Sequence, residues 1–65
     1  MINNKIRKIR LQKSLTMKEL AKKAEISVSY LSLLEKGKRK NPSKEIMKKI
    51  SKALEANVVE IFFDI

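Results

Sequence analysis

The chain has 65 residues, with 16 lysines and arginines against 7 acidic residues, and it contains no cysteine and no histidine. A chain of this length buries only about 60% of its unfolded surface, so we expect a single small domain over residues 1–65. The missing cysteines exclude a disulfide framework and a thiolate metal site, and the missing histidines remove the commonest general base. We therefore expect no catalytic residue, no metal and no cofactor.

The formal net charge of +9 indicates an anionic partner. Nucleic acid is the first such partner to consider, and an anionic membrane surface is the second. No apolar run is long enough to span a bilayer, and the N-terminus lacks the pattern of a secretory signal. We expect a cytoplasmic protein that does not cross a membrane.

The first predicted helix covers about residues 4–13. Ile6 and Ile9 are spaced to face inward, and Ile2 is a further candidate for that face. A short link over residues 12–15 then leads to the next element.

Two helix starts follow this link. Thr16 with Glu19 three residues later forms the pattern of a capping box, in which each residue satisfies the other's backbone N–H. Ser27 is the next capping residue. The pattern predicts helices over residues 17–24 and 28–36, joined by a tight turn.

The apolar spacing of these two helices predicts which of their faces are buried. Leu31 and Leu34 lie on one side of the second helix, while Val28, Ser29, Ser32 and Leu33 are left on the other. An alternative interpretation places Leu33 in the core beside Leu34. Two helices joined by a short turn, with a small polar face on a basic chain, are typical of a DNA-binding helix-turn-helix.

The ends of these helices predict unusual backbone conformations. Gly37 is expected to end the second helix with a positive φ, which glycine tolerates best. Glu25 occupies the turn between the two helices. Either Glu25 adopts a positive φ at a cost of about 1 kcal/mol, or the turn is remodelled.

Two further helices complete the predicted chain. Ser43 is expected to cap a helix over about residues 43–56, although Asn41 with Pro42 at the first helical position is an alternative. Asn57 and Glu60 form another cap pattern, which predicts a fifth helix over residues 58–62.

Nearly the whole chain, from about Lys5 to Phe62, resembles the phage repressor and Cro family, also called the xenobiotic-response-element family. The matching residues are Leu15-Thr16, Glu19-Leu20-Ala21, Ile26-Ser27, Tyr30-Leu31-Ser32, Leu34-Glu35, Gly37 and Pro42-Ser43, followed by Ile50, Ala53 and Leu54. The chain departs from the family where Met17 replaces a usual glutamine and Glu25 a usual glycine. The resemblance implies an all-α, compact five-helix bundle of the lambda-repressor-like type. It also implies an ion pair between Arg10 and Glu35, for which the alternative is an ordinary surface arginine.

The resemblance and the exposed positions together predict two sets of DNA-contacting residues. Base edges would be read by Val28, Ser29, Ser32 and Leu33. Phosphates would be contacted by Met17, Lys18, Ser27, Lys36, Lys38, Arg39, Lys40 and Asn41.

The leading hypothesis is a transcriptional repressor that binds a palindromic operator in double-stranded DNA as a homodimer. The apolar tail residues Phe62, Phe63 and Ile65 are the expected dimer interface. An alternative is the antitoxin of a toxin–antitoxin pair, which would use the same tail to bind a toxin. A cationic membrane-surface peptide is disfavoured because the caps and turns specify a compact bundle, and an enzyme is disfavoured by the missing histidine and cysteine.

Overall fold

The computed structural model describes residues 4–38 and 42–63, and this part of the chain is helical with no strand. In chain order the helices are α1 (Ile6–Gln12), α2 (Met17–Ala24), α3 (Val28–Glu35), α4 (Lys44–Leu54) and α5 (Val58–Phe62). The prediction of an all-α protein with five helices is confirmed. The expected inward position of Ile2 lies outside the described residues. Helix α1 is shorter than predicted at both ends, since Asn4 and Lys5 precede it.

Side chains cap the starts of three helices. The Thr16 hydroxyl accepts the Glu19 N–H at 3.0 Å, and the Glu19 carboxylate accepts the Thr16 N–H at 2.8 Å, which completes the predicted capping box. The Ser27 hydroxyl accepts the backbone N–H of Tyr30 at 3.0 Å. These caps satisfy backbone donors that have no partner inside a helix.

Side-chain capping is present at the start of α4 and absent at the start of α5. The Ser43 hydroxyl accepts the Ile46 N–H at 3.2 Å, which confirms Ser43 over the alternative start at Asn41 and Pro42. Asn57 has the extended backbone of a capping residue, but its side chain makes no cap hydrogen bond. The expected side-chain cap at Asn57 is therefore wrong.

Four helices end in the same way, with a residue at positive φ after the last turn. These residues are Ser14 (φ 57°), Glu25 (φ 59°), Gly37 (φ 73°) and Glu55 (φ 55°). Each is followed by a residue whose N–H reaches five residues back, as in the bond from Ile26 to the Ala21 carbonyl at 3.0 Å. This is the Schellman arrangement, which satisfies carbonyls left open at a helix end. The positive φ expected at Gly37 is confirmed, and Glu25 adopts one without remodelling of the turn.

One hydrophobic core joins all five helices. Its fully or nearly fully buried apolar side chains are Ile6, Ile9, Leu20, Ala21, Ala24, Leu31, Leu34, Ile50, Leu54 and Ile61. Helix α2 packs against both α3 and α4, and small alanines on its buried face permit the close approach. Helix α5 packs against α1 and α4. The Lys5 N–H also donates to the Ile61 carbonyl at 2.7 Å, which joins the start of α1 to α5.

Candidate nucleic-acid interface

Helix α3 presents one face to solvent and one to the core. Val28 is 44% exposed and Leu33 is 37% exposed, while Leu31 and Leu34 are buried. The alternative that placed Leu33 in the core is therefore wrong. Ser29 is exposed and Ser32 is partly buried. The four predicted base-reading residues thus lie on the side of α3 that faces away from the core, with Ser32 at its edge.

A buried ion pair holds the far end of α3. The Arg10 guanidinium donates from Nε to Glu35 Oε2 at 2.8 Å and from Nη2 to Glu35 Oε1 at 3.2 Å. Both residues are buried, at 7% and 5% exposure. The ion pair implied by the family resemblance is present, and the interpretation of Arg10 as an ordinary surface residue is wrong.

The start of α2 offers two backbone donors to solvent. Among the hydrogen bonds of the described residues, none uses the N–H of Met17 or Lys18, whereas the capping box occupies those of Thr16 and Glu19. The Met17 side chain packs against the core, while Lys18 is exposed. Open N–H groups at a helix N-terminus, together with a cation, form an arrangement that favours phosphate.

The capping carboxylate beside these donors is stabilised in its charged form. The hydrogen bond from the Thr16 backbone N–H, and then that with the Thr16 side chain, hold the pKa of Glu19 below its ordinary value of 4.5. Glu19 therefore carries a negative charge at neutral pH. Because its carboxylate is turned back toward Thr16, the first N–H groups of α2 stay open.

A hydroxyl precedes α3 and two cations follow it. Lys36 and Lys38 flank Gly37 at its end, and both are exposed. The Ser27 hydroxyl, at its start, accepts the Tyr30 N–H and retains its own O–H for donation. The other predicted phosphate contacts, Arg39, Lys40 and Asn41, lie outside the described residues.

The apolar tail is only partly turned inward. Phe62 packs against the core, whereas Phe63 is 52% exposed. Val59, which the sequence analysis missed, is 47% exposed and lies one turn before Phe63. Its spacing of four residues from Phe63 is the signal that could have found it. Ile65 lies outside the described residues.

Residues 4–38 and 42–63 contain neither a membrane-spanning helix nor a cluster of acidic metal ligands. No helix there is long and apolar enough to cross a membrane. No group of three or more acidic residues is placed there to hold a metal ion, and the chain has no histidine or cysteine that could join such a group.

The sequence pattern of the helix-turn-helix family matches residues 6–61 of this chain. The match covers all five helices except the last residue of α5, and the chain belongs to this family, of the repressor and Cro type. The resemblance noted from the sequence is confirmed.

Two regulators from Bacillus subtilis are among the similar proteins. The HTH-type transcriptional regulator SlrR is 40% identical over 62 residues, which span 95% of this chain and 41% of SlrR. The HTH-type transcriptional regulator SinR is 38% identical over 58 residues, which span 89% of this chain and 52% of SinR. The chain thus spans about half the length of these relatives or less.

Solved structures show the same fold. A complex of SinR with SinI matches with a TM-score of 0.82 and 37% identity, over 91% of this chain and 57% of that one. The clp gene regulator ClgR from C. glutamicum matches with a TM-score of 0.76 and 37% identity, over 83% of this chain and 69% of that one.

Proposed function

We propose that this chain binds double-stranded DNA sequence-specifically and regulates transcription, as a repressor at a palindromic operator. One observation carries the proposal: α3 exposes Val28, Ser29 and Leu33 while Leu31, Leu34 and Glu35 fix its other side in the core. A helix held in this way can enter the major groove without losing its packing. The family and its transcriptional regulators SlrR and SinR support the same function.

Phosphate contacts position the helix in the groove. The open N–H groups of Met17 and Lys18 meet one strand's backbone, and the ammonium groups of Lys36 and Lys38 meet the other. Ser27 adds a hydroxyl, and Arg39, Lys40 and Asn41 extend the basic segment that follows α3. A net charge of +9 supports the long-range attraction to the duplex.

Base reading in this proposal depends on few polar groups. Val28 and Leu33 offer only apolar contact, most usefully to a thymine methyl group, and serine hydroxyls are ambiguous between bases. Sequence preference then comes from methyl contacts, with a contribution from the deformability of the duplex.

A homodimer through the tail completes the proposal. Val59 and Phe63 form an exposed apolar surface beside the partly buried Phe62. Two copies related by a twofold axis would cover these side chains and place two recognition helices about 34 Å apart, one turn of DNA.

A different protein is the alternative occupant of this surface. SinR, one of the similar proteins, has been solved in complex with SinI, which supports a protein partner other than a second copy. The antitoxin hypothesis is one form of this alternative, in which the partner is a toxin.

The deciding experiment is selection from random duplexes, followed by sizing of the complex. We expect a palindromic motif and two chains per duplex. Ser29→Ala and Leu33→Ala should each change the preferred bases, since a good base contact contributes about 1–3 kcal/mol of discrimination. Leu11→Ala is the matched control, because Leu11 is an exposed apolar residue of α1 outside both proposed surfaces, and it should return the wild-type motif. No enriched motif from the wild type would contradict sequence-specific binding.

A salt titration tests the phosphate contacts separately. Replacing Lys36 and Lys38 by alanine should weaken specific and non-specific binding alike. It should also flatten the slope of log K against log salt by about 1.8, or about 0.9 for each lost phosphate contact. Lys8→Ala with Lys48→Ala removes the same charge from exposed positions on α1 and α4. An equal effect in this control would show that only net charge matters.

A further inference from the structure

The side chain of Asn4 connects the first helix to the end of the third. Its Nδ2 donates to the Leu34 carbonyl at 2.8 Å, across 30 positions of sequence. Its Oδ1 accepts the Ile6 N–H at 3.1 Å, a local bond across two positions that satisfies the first N–H of α1. One half-buried side chain thus bonds a carbonyl in the last turn of α3 and the first N–H of α1.

The carbonyl that Asn4 holds is part of the turn that ends α3. The Leu34 carbonyl also accepts the Gly37 N–H at 3.1 Å, and the neighbouring Leu33 carbonyl accepts the Lys38 N–H at 2.9 Å. Asn4 therefore binds the same oxygen that fixes the left-handed Gly37. The direction in which the chain leaves α3 depends on this turn.

We propose that Asn4 is a positioning residue for the phosphate-contacting segment Lys36–Lys38, an inference that rests on the proposed binding of DNA. Both lysines are exposed and flank Gly37, so their backbone positions are set by the turn rather than by burial. The last turn of a helix opens readily when few bonds hold it. The bond from Asn4 supplies an anchor from outside the helix, and it holds the backbone from which both lysine side chains extend.

Asparagine is suited to this position because it supplies both a donor and an acceptor. Serine can still accept the Ile6 N–H, as hydroxyls do two residues before a backbone N–H, but is too short to donate to Leu34 as well. Alanine does neither. The two substitutions therefore separate the bond to the Ile6 N–H from the anchor of α3.

The experiment compares Asn4→Ser and Asn4→Ala with Asn57→Ala. Asn57 is the matched control because it is an exposed capping position whose side chain makes no cap hydrogen bond. Three quantities are measured on each folded variant: the melting temperature, the amide hydrogen exchange of Gly37 and Lys38, and the affinity for duplex DNA across a salt series.

We expect Asn4→Ser to lower the melting temperature less than Asn4→Ala does and to exchange the amides of Gly37 and Lys38 faster. Its affinity for DNA should fall about three- to tenfold, as for the loss of one hydrogen bond. The salt slope should flatten by about 0.9 for each phosphate contact that is lost. Asn4→Ala should show the same loss of affinity together with a lower melting temperature. Asn57→Ala should change none of these.

Other outcomes would overturn the inference. If Asn4→Ser exchanges these amides faster but binds DNA with unchanged affinity and slope, the anchor does not position the lysines. If affinity falls with an unchanged slope and only in proportion to a lower melting temperature, Asn4 has a structural role alone. If the wild type does not bind duplex DNA, the proposed function fails and this inference fails with it.

Discussion

Arg10 and Glu35, which are 25 positions apart in sequence, form a two-point ion pair inside the protein, with bonds of 2.8 Å and 3.2 Å. The remaining guanidinium nitrogen, Nη1, donates to the Leu15 carbonyl at 2.9 Å. Arg10 therefore joins α1, the link before α2 and the end of α3. Its planar fork of donors matches the carboxylate in a way that a lysine could not.

Loss of one partner of this pair should be costly. Arg10→Met would leave the Glu35 carboxylate buried without a cation, which typically costs about 3–5 kcal/mol. A domain of this size has little stability to lose. Urea unfolding should show this loss, with Arg7→Met as the control because Arg7 is exposed on the same helix. The double variant Arg10→Met with Glu35→Leu should recover much of the lost stability. Equal small losses in Arg10→Met and Arg7→Met would contradict the prediction.

The capping box at the start of α2 should make stability depend on pH. The pKa of Glu19 is lowered in the folded protein, first by its bond to the Thr16 backbone. A lowered pKa means that the folded state favours the carboxylate. This contribution is therefore present above the ordinary value of 4.5 and is lost as the pH falls through the folded-state value. On acidification from pH 7 to pH 3, the free energy of unfolding should therefore decrease less in Glu19→Gln than in the wild type. Denaturant unfolding at each pH measures this difference.

Glu60→Gln is the control for this measurement, because Glu60 also lies in the first turn of a helix but lies on α5, outside the capping box of α2. The free energy of unfolding of Glu60→Gln should decrease on acidification as much as that of the wild type does. The same reduced pH dependence in both variants would show that loss of any negative charge explains the effect.

Glycine should stabilise the two turns that use glutamate at positive φ. Glu25 and Glu55 both adopt left-handed conformations, which cost a residue with a Cβ atom about 1 kcal/mol relative to glycine. Glu25→Gly and Glu55→Gly should therefore raise the free energy of unfolding by up to about 1 kcal/mol each. The ion pair of Glu25 with Lys49, at 3.7 Å, joins an exposed carboxylate to a partly exposed lysine and should offset little of this gain.

Glu60→Gly provides the opposite case. Glu60 lies within α5, where glycine is expected to destabilise by about 0.5–1 kcal/mol. Thermal unfolding of the three variants should thus show two gains and one loss. A loss at all three positions would mean that the left-handed turns are not strained.

The exposed tail should control the oligomeric state. If Phe63 lies in a twofold interface, Phe63→Ser should shift a micromolar solution from dimer to monomer in sedimentation experiments, because it removes an apolar side chain that is half exposed in the single chain. Leu11→Ser is the matched control, since Leu11 is a similarly exposed apolar residue, at 54%, near the C-terminal end of α1 and outside the tail. A variant that still dimerises fully would place the interface elsewhere, and a monomeric wild type would contradict the dimer itself.

Local signals in the sequence predicted helix starts better than helix ends. Thr16, Ser27 and Ser43 cap their helices as expected, because a cap depends on bonds between residues three positions apart. The left-handed residues Ser14 and Glu55 carried no comparable signal. Their positive φ angles accompany the hydrogen bonds that close the helix ends, and serine and glutamate have no preference for this conformation that would reveal it.

Contacts across the fold were less accessible to prediction. The Arg10–Glu35 pair was expected only through the family resemblance, and nothing in the spacing of the chain indicated the bond from Asn4 to Leu34. Bonds between residues so far apart in the sequence depend on which helices meet, and a single sequence does not specify this. The exposed face of α3 was predictable because it follows from the helical repeat and the positions of Leu31 and Leu34.

The joint between α4 and α5 has the same form as the joint between α2 and α3. Glu55 is followed by Ala56, whose N–H bonds to the Ser51 carbonyl at 3.1 Å, and then by Asn57 in an extended conformation. Glu25, Ile26 and Ser27 repeat this order with the corresponding bond at 3.0 Å. The joint between α1 and α2 also has this form, with Ser14 at positive φ, the Leu15 N–H bonded to the Arg10 carbonyl at 3.0 Å, and Thr16 extended. A motif search based on turn geometry alone would therefore find three helix-turn-helix units in the described residues. Only the unit that ends in α3 has serines on its outer face and lysines after it, so side-chain chemistry, rather than the joint, identifies the helix suited to read DNA.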